Sequence, residues 1–121
     1  MFVKIDTRPN FKILRPVTAQ IHANMAGELS RLILENMDAP PHHLILEMDE
    51  VTGLEPAIIT MLEEMQTIAK RKGYSFYMSG IAHLLKAKIN HVPSFKRLNK
   101  APTLAEAIDM IMMEKLEREL M

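Results

Sequence analysis

The fold of this chain is decided by the stretch from His43 to Gly73, HLILEMDEVTGLEPAIITMLEEMQTIAKRKG. It begins with a short apolar run, Leu44–Leu46, which predicts a strand buried on both faces of a sheet. Glu55 and Pro56 then predict a helix start, because proline suits the first helical position and a carboxylate suits the positive end of the helix dipole. The predicted helix has one apolar face, and Gly73 marks its end after a basic last turn.

The composition is that of one globular domain. The chain has 121 residues, 48% hydrophobic and 25% charged, so we expect a single domain over residues 1–121 with one core. A formal net charge of zero gives no electrostatic argument for binding nucleic acid or an anionic membrane. Cysteine is absent, no apolar run approaches the ~20 residues that span a bilayer, and the start lacks the apolar region of a signal peptide. We therefore expect a cytoplasmic protein without membrane insertion.

Strands and helices are predicted to alternate along the rest of the chain. Two strands, Phe2–Ile5 and Phe11–Val17, form a hairpin at the sheet edge, because the residues between them are turn formers. Thr103 and Glu106 form a capping box that opens the last helix. The other predicted elements are a helix from Met25 to about Asn36 capped by Asn24, a strand Tyr74–Met78, a helix Ile81–Asn90 with Leu84, Leu85 and Ile89 inward, and an irregular segment Val92–Leu98 with a brief edge strand around Phe95. This alternation predicts an α/β fold, a mixed sheet with helices packed mainly on one face.

The central unit resembles the STAS family, which includes bacterial anti-sigma factor antagonists and the cytoplasmic tails of sulfate transporters. Members of that family carry an apolar strand ending in Asp, then a Val, and then Asp-Ser-Ser-Gly opening a helix. The segment Glu47-Met48-Asp49-Glu50-Val51 and the helix around Leu62 fit that layout. Glu55 stands where the motif has its second Asp, and Pro56 and Ala57 stand where it has the two serines. The resemblance implies a single STAS-like domain with a mixed β-sheet.

This resemblance implies a non-enzymatic regulatory module of a bacterial transcription switch. Antagonists of the family bind a kinase-like anti-sigma factor and release the sigma factor, so the implied partner is an anti-sigma factor kinase. The implied contact surface is the turn after the central strand and the start of the next helix, with a neighbouring segment before the first helix. Its residues are Ile21, His22, Asn24, Thr52, Gly53, Leu54, Glu55, Pro56, Ala57 and Thr60. A subunit or accessory domain of a membrane transporter is the second function that the family implies.

The resemblance also predicts how partner binding is controlled. In antagonists of the family, a serine at the helix start accepts phosphate from the partner kinase, and the added charge repels that partner. Pro56 and Ala57 carry no hydroxyl, and the nearest hydroxyls belong to Thr52 and Thr60. We therefore expect no serine switch, and partner binding that is constitutive or controlled elsewhere.

The residues themselves leave an enzymatic alternative open. Glu47, Asp49, Glu50 and Glu55 follow the central strand, at the end of a sheet where ligands usually bind, so a Mg²⁺ site or an acid–base pair is conceivable. Solvated carboxylates are the simpler interpretation, because no nucleophile elbow, phosphate-binding glycine loop or metal-binding histidine spacing accompanies them. We therefore predict no cofactor and no metal. A basic cluster is likewise interpreted as a solvated face rather than a phosphate contact: Lys86, Lys88, Lys96, Arg97 and Lys100.

The last helix has more apolar residues than one inward stripe needs. The predicted inward stripe is Leu104, Ala107, Ile108 and Ile111, and the residues in excess of it are Met110, Met112, Met113, Leu116 and Leu120. Either the helix end packs on its own domain with some methionine exposed, or it is a surface for a partner or a second copy. A homodimer would use Met112, Leu116 and Leu120.

Overall fold

The chain folds around a mixed five-stranded sheet with a second, two-stranded ladder beside it. The computed structural model describes residues 1–121. The strands are β1 (Val3–Thr7), β2 (Phe11–Pro16), β3 (Gln20–Ile21), β4 (His43–Glu47), β5 (Gly53–Leu54), β6 (Phe76–Ser79) and β7 (Lys100–Ala101). The large sheet has the order β1-β2-β4-β6-β7, with β1 antiparallel to β2 and the other pairs parallel. The predicted edge hairpin is therefore confirmed.

The helices cover the sheet unequally. A 3₁₀ turn (Ala23–Met25) precedes α1 (Ala26–Asp38), and the other helices are α2 (Pro56–Arg71), α3 (His83–Ile89), α4 (Pro93–Arg97) and α5 (Leu104–Glu119). The larger core joins one face of the sheet to α1, α2, α3 and α4, whereas α5 packs on the opposite face through Ala107 and Ile111. The predicted α/β class, with helices mainly on one face, is confirmed.

The central strand is buried on both faces, as its apolar run predicts. Leu44 and Leu46 point into the larger core, and Ile45 between them points toward α5. All three side chains are fully buried. The strand ends at Glu47, earlier than an apolar pattern extending to Val51 suggests, although Val51 is itself buried. Helix α2 begins at Pro56 as predicted.

Several local predictions were wrong. Asn24 does not cap α1; it lies exposed in the 3₁₀ turn, and no side chain caps that helix. The segment predicted to be irregular forms α4, which begins at Pro93 and buries Phe95, while the edge strand follows it at Lys100–Ala101. Leu84 is 80% exposed rather than inward, since only Leu85 and Ile89 of α3 reach the core.

Two polar side chains, the buried Lys12 and the half-buried His43, connect strands to neighbouring backbone. Lys12 is 5% exposed, and its Nζ donates to the carbonyl oxygens of Asn36 and Ala39 at the end of α1, at 2.7 and 2.6 Å. Burial lowers the pKa of Lys12. His43 accepts a hydrogen bond at Nδ1 from the backbone N–H of Ser75, at 2.9 Å. Burial lowers the pKa of His43, and the positive charge of Arg118 lowers it further.

Candidate partner-binding site

The short ladder of β3 and β5 brings together two segments that lie far apart in sequence. Gln20 pairs with Gly53, and Ile21 with Leu54. The carbonyl oxygen of Ala19 also accepts hydrogen bonds from the N–H groups of Thr52 and Gly53, at 2.7 and 2.9 Å. The segment before the first helix therefore lies directly beside the turn that leads into α2.

Glu55 closes this junction with its side chain. Its Oε1 accepts a hydrogen bond from the N–H of Ala23 at 2.8 Å and lies 3.2 Å from Nδ1 of His22. Its own N–H donates to the carbonyl oxygen of Ile21 at 3.2 Å. Glu55 occupies the N-cap position of α2 but makes no side-chain capping bond to that helix. The carboxylate therefore caps the neighbouring 3₁₀ turn and not its own helix, at whose positive end it lies as the dipole argument expects.

The residues expected at the contact surface form one continuous patch, which we call the helix-mouth surface. It comprises Ile21, His22, Asn24, Thr52, Gly53, Leu54, Glu55, Pro56, Ala57 and Thr60. Ile21 and Leu54 are buried at 1% and 8% exposure and anchor the patch to the core. The other members are exposed, except for the half-buried Gly53. The patch therefore presents side chains to solvent from a backbone that internal hydrogen bonds hold in place.

The hydroxyl groups near the helix start are engaged in internal hydrogen bonds. The Oγ1 of Thr52 donates to the carbonyl oxygen of Ala19 at 3.1 Å. The Oγ1 of Thr60 donates to the carbonyl oxygen of Pro56 at 3.3 Å and lies 3.4 Å from Oγ of Ser94. Pro56 and Ala57, the exposed residues that open α2, have no hydroxyl.

A cleft of about 290 Å³ adjoins the helix-mouth surface. Its far wall comes from α3 and the turn after it, through Leu85, Lys88, Ile89, His91 and Val92. These residues lie outside the predicted site, because nothing local in the sequence shows that α3 lies beside β5. The cleft gives the surface a concave side that a partner's side chain can fill.

Three of the four carboxylates after the central strand have different partners, and Glu50 is exposed. Glu47 is only 4% exposed and accepts a hydrogen bond from Oγ of Ser79 at 2.8 Å, so the expectation of a solvated carboxylate was wrong for this residue. Asp49 forms an exposed ion pair with Arg15 at 3.1 Å. Glu55 faces the 3₁₀ turn, as described above. No group of three or more acidic or histidine side chains is placed to hold a metal ion.

Gly80 has no side chain, and the buried Glu47 carboxylate occupies the space where one would lie. Its φ is +69°, a conformation that favours glycine, and a Cβ atom built there would lie 1.8 Å from Oε1 of Glu47. The turn after β6 and the end of β4 are therefore matched to each other in shape.

The excess apolar residues of α5 lie on its solvent side. Met112, Met113 and Leu116 are 38%, 57% and 57% exposed, and Leu120 is 79% exposed. Ala107 and Ile111, which belong to the predicted inward stripe, are fully buried. The helix therefore has a second, uncovered apolar stripe. No helix of the structure has the length and apolar character needed to cross a membrane.

Comparison with known proteins identifies the family. The STAS domain family model matches residues 3–107, and the chain belongs to that family. A comparison with curated proteins found no match.

Solved structures show the same fold at low sequence identity. A variant of RsbS from Moorella thermoacetica is 14% identical, with a TM-score of 0.72 over 96% of this chain and 97% of that one. An anti-sigma factor antagonist from Mycobacterium paratuberculosis is also 14% identical, with a TM-score of 0.72 over 92% and 93% of the two chains. A murine anion transporter of the Solute Carrier 26 family is 18% identical, with a TM-score of 0.71, but the similarity covers 89% of this chain and 18% of the transporter.

Proposed function

We propose that this STAS domain is a non-enzymatic regulatory module of the anti-sigma factor antagonist type, which binds a protein partner through the helix-mouth surface. The observation that carries the proposal is the β3–β5 ladder, because it joins both expected contact segments into one exposed surface. Similarity in fold to RsbS and to an anti-sigma factor antagonist over nearly their whole lengths supports the same function.

The backbone of the helix-mouth surface is prepared for binding. Ala19, Ile21 and Glu55 hold the two segments together by hydrogen bonds, so little conformational freedom remains to be lost when a partner docks. Ala57 is an exposed residue of the surface, on the first turn of α2. The implied partner is an ATP-dependent anti-sigma factor kinase in bacterial cytoplasm.

We propose that no phosphate at the start of α2 controls this binding. Pro56 and Ala57 cannot accept phosphate, and the carboxylate of Glu55 at the helix start disfavours a second anion there. Thr52 and Thr60 use their hydroxyls in internal hydrogen bonds. Incubation with the partner kinase and ATP, followed by mass spectrometry, should therefore find no stoichiometric phosphate on this chain; phosphate on Thr52 or Thr60 that weakens binding would restore a displaced switch.

The first experiment identifies the partner by its point of contact. A photoreactive amino acid at Ala57 should crosslink to the partner in cells, whereas the same amino acid at Ala105, exposed on α5 across the sheet, should not. With the purified partner, Ala57→Arg should weaken binding at least about tenfold because it places a bulky charge in the contact. Ala105→Arg is the matched control and should bind normally.

The identity of the partner that crosslinks to Ala57 also distinguishes the antagonist function from a function in a membrane transporter. A transporter subunit is favoured by the fold similarity to the anion transporter, of which the matched domain forms a small part. A crosslink from Ala57 to a permease or a transport ATPase would assign the chain to such an assembly. Saturable Mg²⁺ binding accompanied by turnover of a small substrate would instead contradict the non-enzymatic assignment.

A further inference from the structure

A second cleft lies outside the helix-mouth surface, between α3 and the β7 edge of the sheet. Its volume is about 650 Å³, within the range on the order of 300–1,000 Å³ that is typical of small-molecule sites. None of the helix-mouth residues lines it. Its polar lining consists of His83, Lys86 and Lys100, and its apolar walls include Ile81, Leu98 and Pro102.

The two lysines of this cleft, Lys86 and Lys100, face no carboxylate. No aspartate or glutamate lines the cleft, and neither Lys86 nor His83 forms an ion pair. Some cations elsewhere in the chain are paired with a carboxylate, as Arg97 is with Glu63 and Lys72 is with Asp38. The basic cluster of the sequence is therefore divided, and only Lys86 and Lys100 of that cluster meet in this cleft.

Lys100 is held in position rather than freely solvated. Its Nζ donates to the carbonyl oxygens of Phe95 and Leu98 at 2.9 and 3.3 Å and lies 4.7 Å from the centre of the Phe95 ring. Burial lowers the pKa of Lys100, and the like charge of Lys86 lowers it further. An anion placed between the two lysines relieves this repulsion and finds an ammonium group that is already oriented.

We infer that the cleft binds a small phosphate-bearing molecule, with its phosphate between Lys86, Lys100 and His83 and its carbon skeleton on the apolar walls. A phosphate suits the site because its oxygens accept several charge-assisted hydrogen bonds at once. A small molecule is favoured over a protein segment because the cleft is of limited volume and its apolar walls stand directly beside the cations.

Amide NMR titrations of the full chain test this inference, with inorganic phosphate and adenosine monophosphate as probes and sodium chloride at matched ionic strength as the reference. Both probes should give saturable shifts at the amides that border the cleft, and adenosine monophosphate should bind more tightly because it also covers the apolar walls. Lys86→Gln should weaken binding about tenfold, because it removes one charge-assisted contact without disturbing an internal hydrogen bond.

Lys88→Gln provides the matched control. Lys88 is exposed on the same helix and carries the same charge, but it lines the other cleft, beside the helix-mouth surface. This variant should bind the probes like the wild-type chain. Equal weakening by Lys86→Gln and Lys88→Gln, or shifts that never saturate, would show general charge attraction and overturn the inference. Tighter binding of a phosphoserine tripeptide than of adenosine monophosphate would overturn the small-molecule assignment.

Discussion

Removing the Glu55 carboxylate should loosen the junction between β3 and α2. Glu55→Ala deletes the acceptor for the Ala23 N–H and the partner of His22. A hydrogen bond to a charged group contributes about 1.5–3 kcal/mol to stability, but half of this side chain is exposed, so solvent screening reduces the expected loss to about 1 kcal/mol. For a domain of this size, that loss corresponds to a fall of about 4 °C in the melting temperature.

Two measurements separate this role from a general effect of charge. Circular dichroism should show the lower melting temperature for Glu55→Ala, and hydrogen exchange should be faster at the Ala23 amide, which loses its acceptor. Glu55→Gln keeps an acceptor oxygen and should restore part of the protection. Glu64→Ala, at an exposed position of the same helix, should change stability by less than about 0.5 kcal/mol. The reasoning is refuted if Glu55→Ala leaves both the melting temperature and the Ala23 exchange rate unchanged.

Three further predictions concern other parts of the fold. Lys12→Met should lower the free energy of unfolding in urea by about 1–3 kcal/mol, because it leaves two carbonyl groups at the end of α1 without a donor. Lys4→Met, at an exposed position, should change this free energy very little. The pKa of His43 is lowered in the folded chain, so the unfolded chain binds the proton more readily. The free energy of unfolding should therefore be highest above about pH 6.5 and decrease below it. His43→Asn should reduce this pH dependence in thermal melts recorded from about pH 5 to 8. Self-association through α5 predicts that the Met112→Asp, Leu116→Asp double variant is monomeric in sedimentation and as stable as wild type; a wild-type chain that is already monomeric would contradict it.

Hydrophobic periodicity was sufficient to predict the central unit. Leu44–Leu46 is buried from both sides, and a continuous apolar run is what such a strand requires. The start of α2 was also predictable, because Pro56 can open a helix but cannot continue a strand within a sheet. The capping of α5 followed from chemistry within one turn, where Oγ1 of Thr103 accepts from the N–H of Glu106 at 3.2 Å.

Features that depend on distant partners were not predictable in the same way. The β3 and β5 strands have two residues each, too few for any periodicity, and they exist because each is the other's partner. Asn24 has the chemistry of a cap, but it lies within the 3₁₀ turn before α1, and that turn is capped by Glu55, a carboxylate far along the chain. Glu47 is buried because Ser79 and the space at Gly80 accommodate it, and both belong to another strand and its following turn.

The distribution of charge links the two proposed sites. A helix N-terminus ordinarily attracts an anion through its free N–H groups and its dipole. At the start of α2 that attraction is weakened, because the negative charge of Glu55 lies beside the helix start and Pro56 supplies no N–H group. Lys86 and Lys100, which face no carboxylate, lie in the separate cleft near β7. We therefore expect an anion to bind more favourably in that cleft than at the helix-mouth surface, and we propose that a phosphate-bearing ligand and a protein partner occupy the domain at the same time.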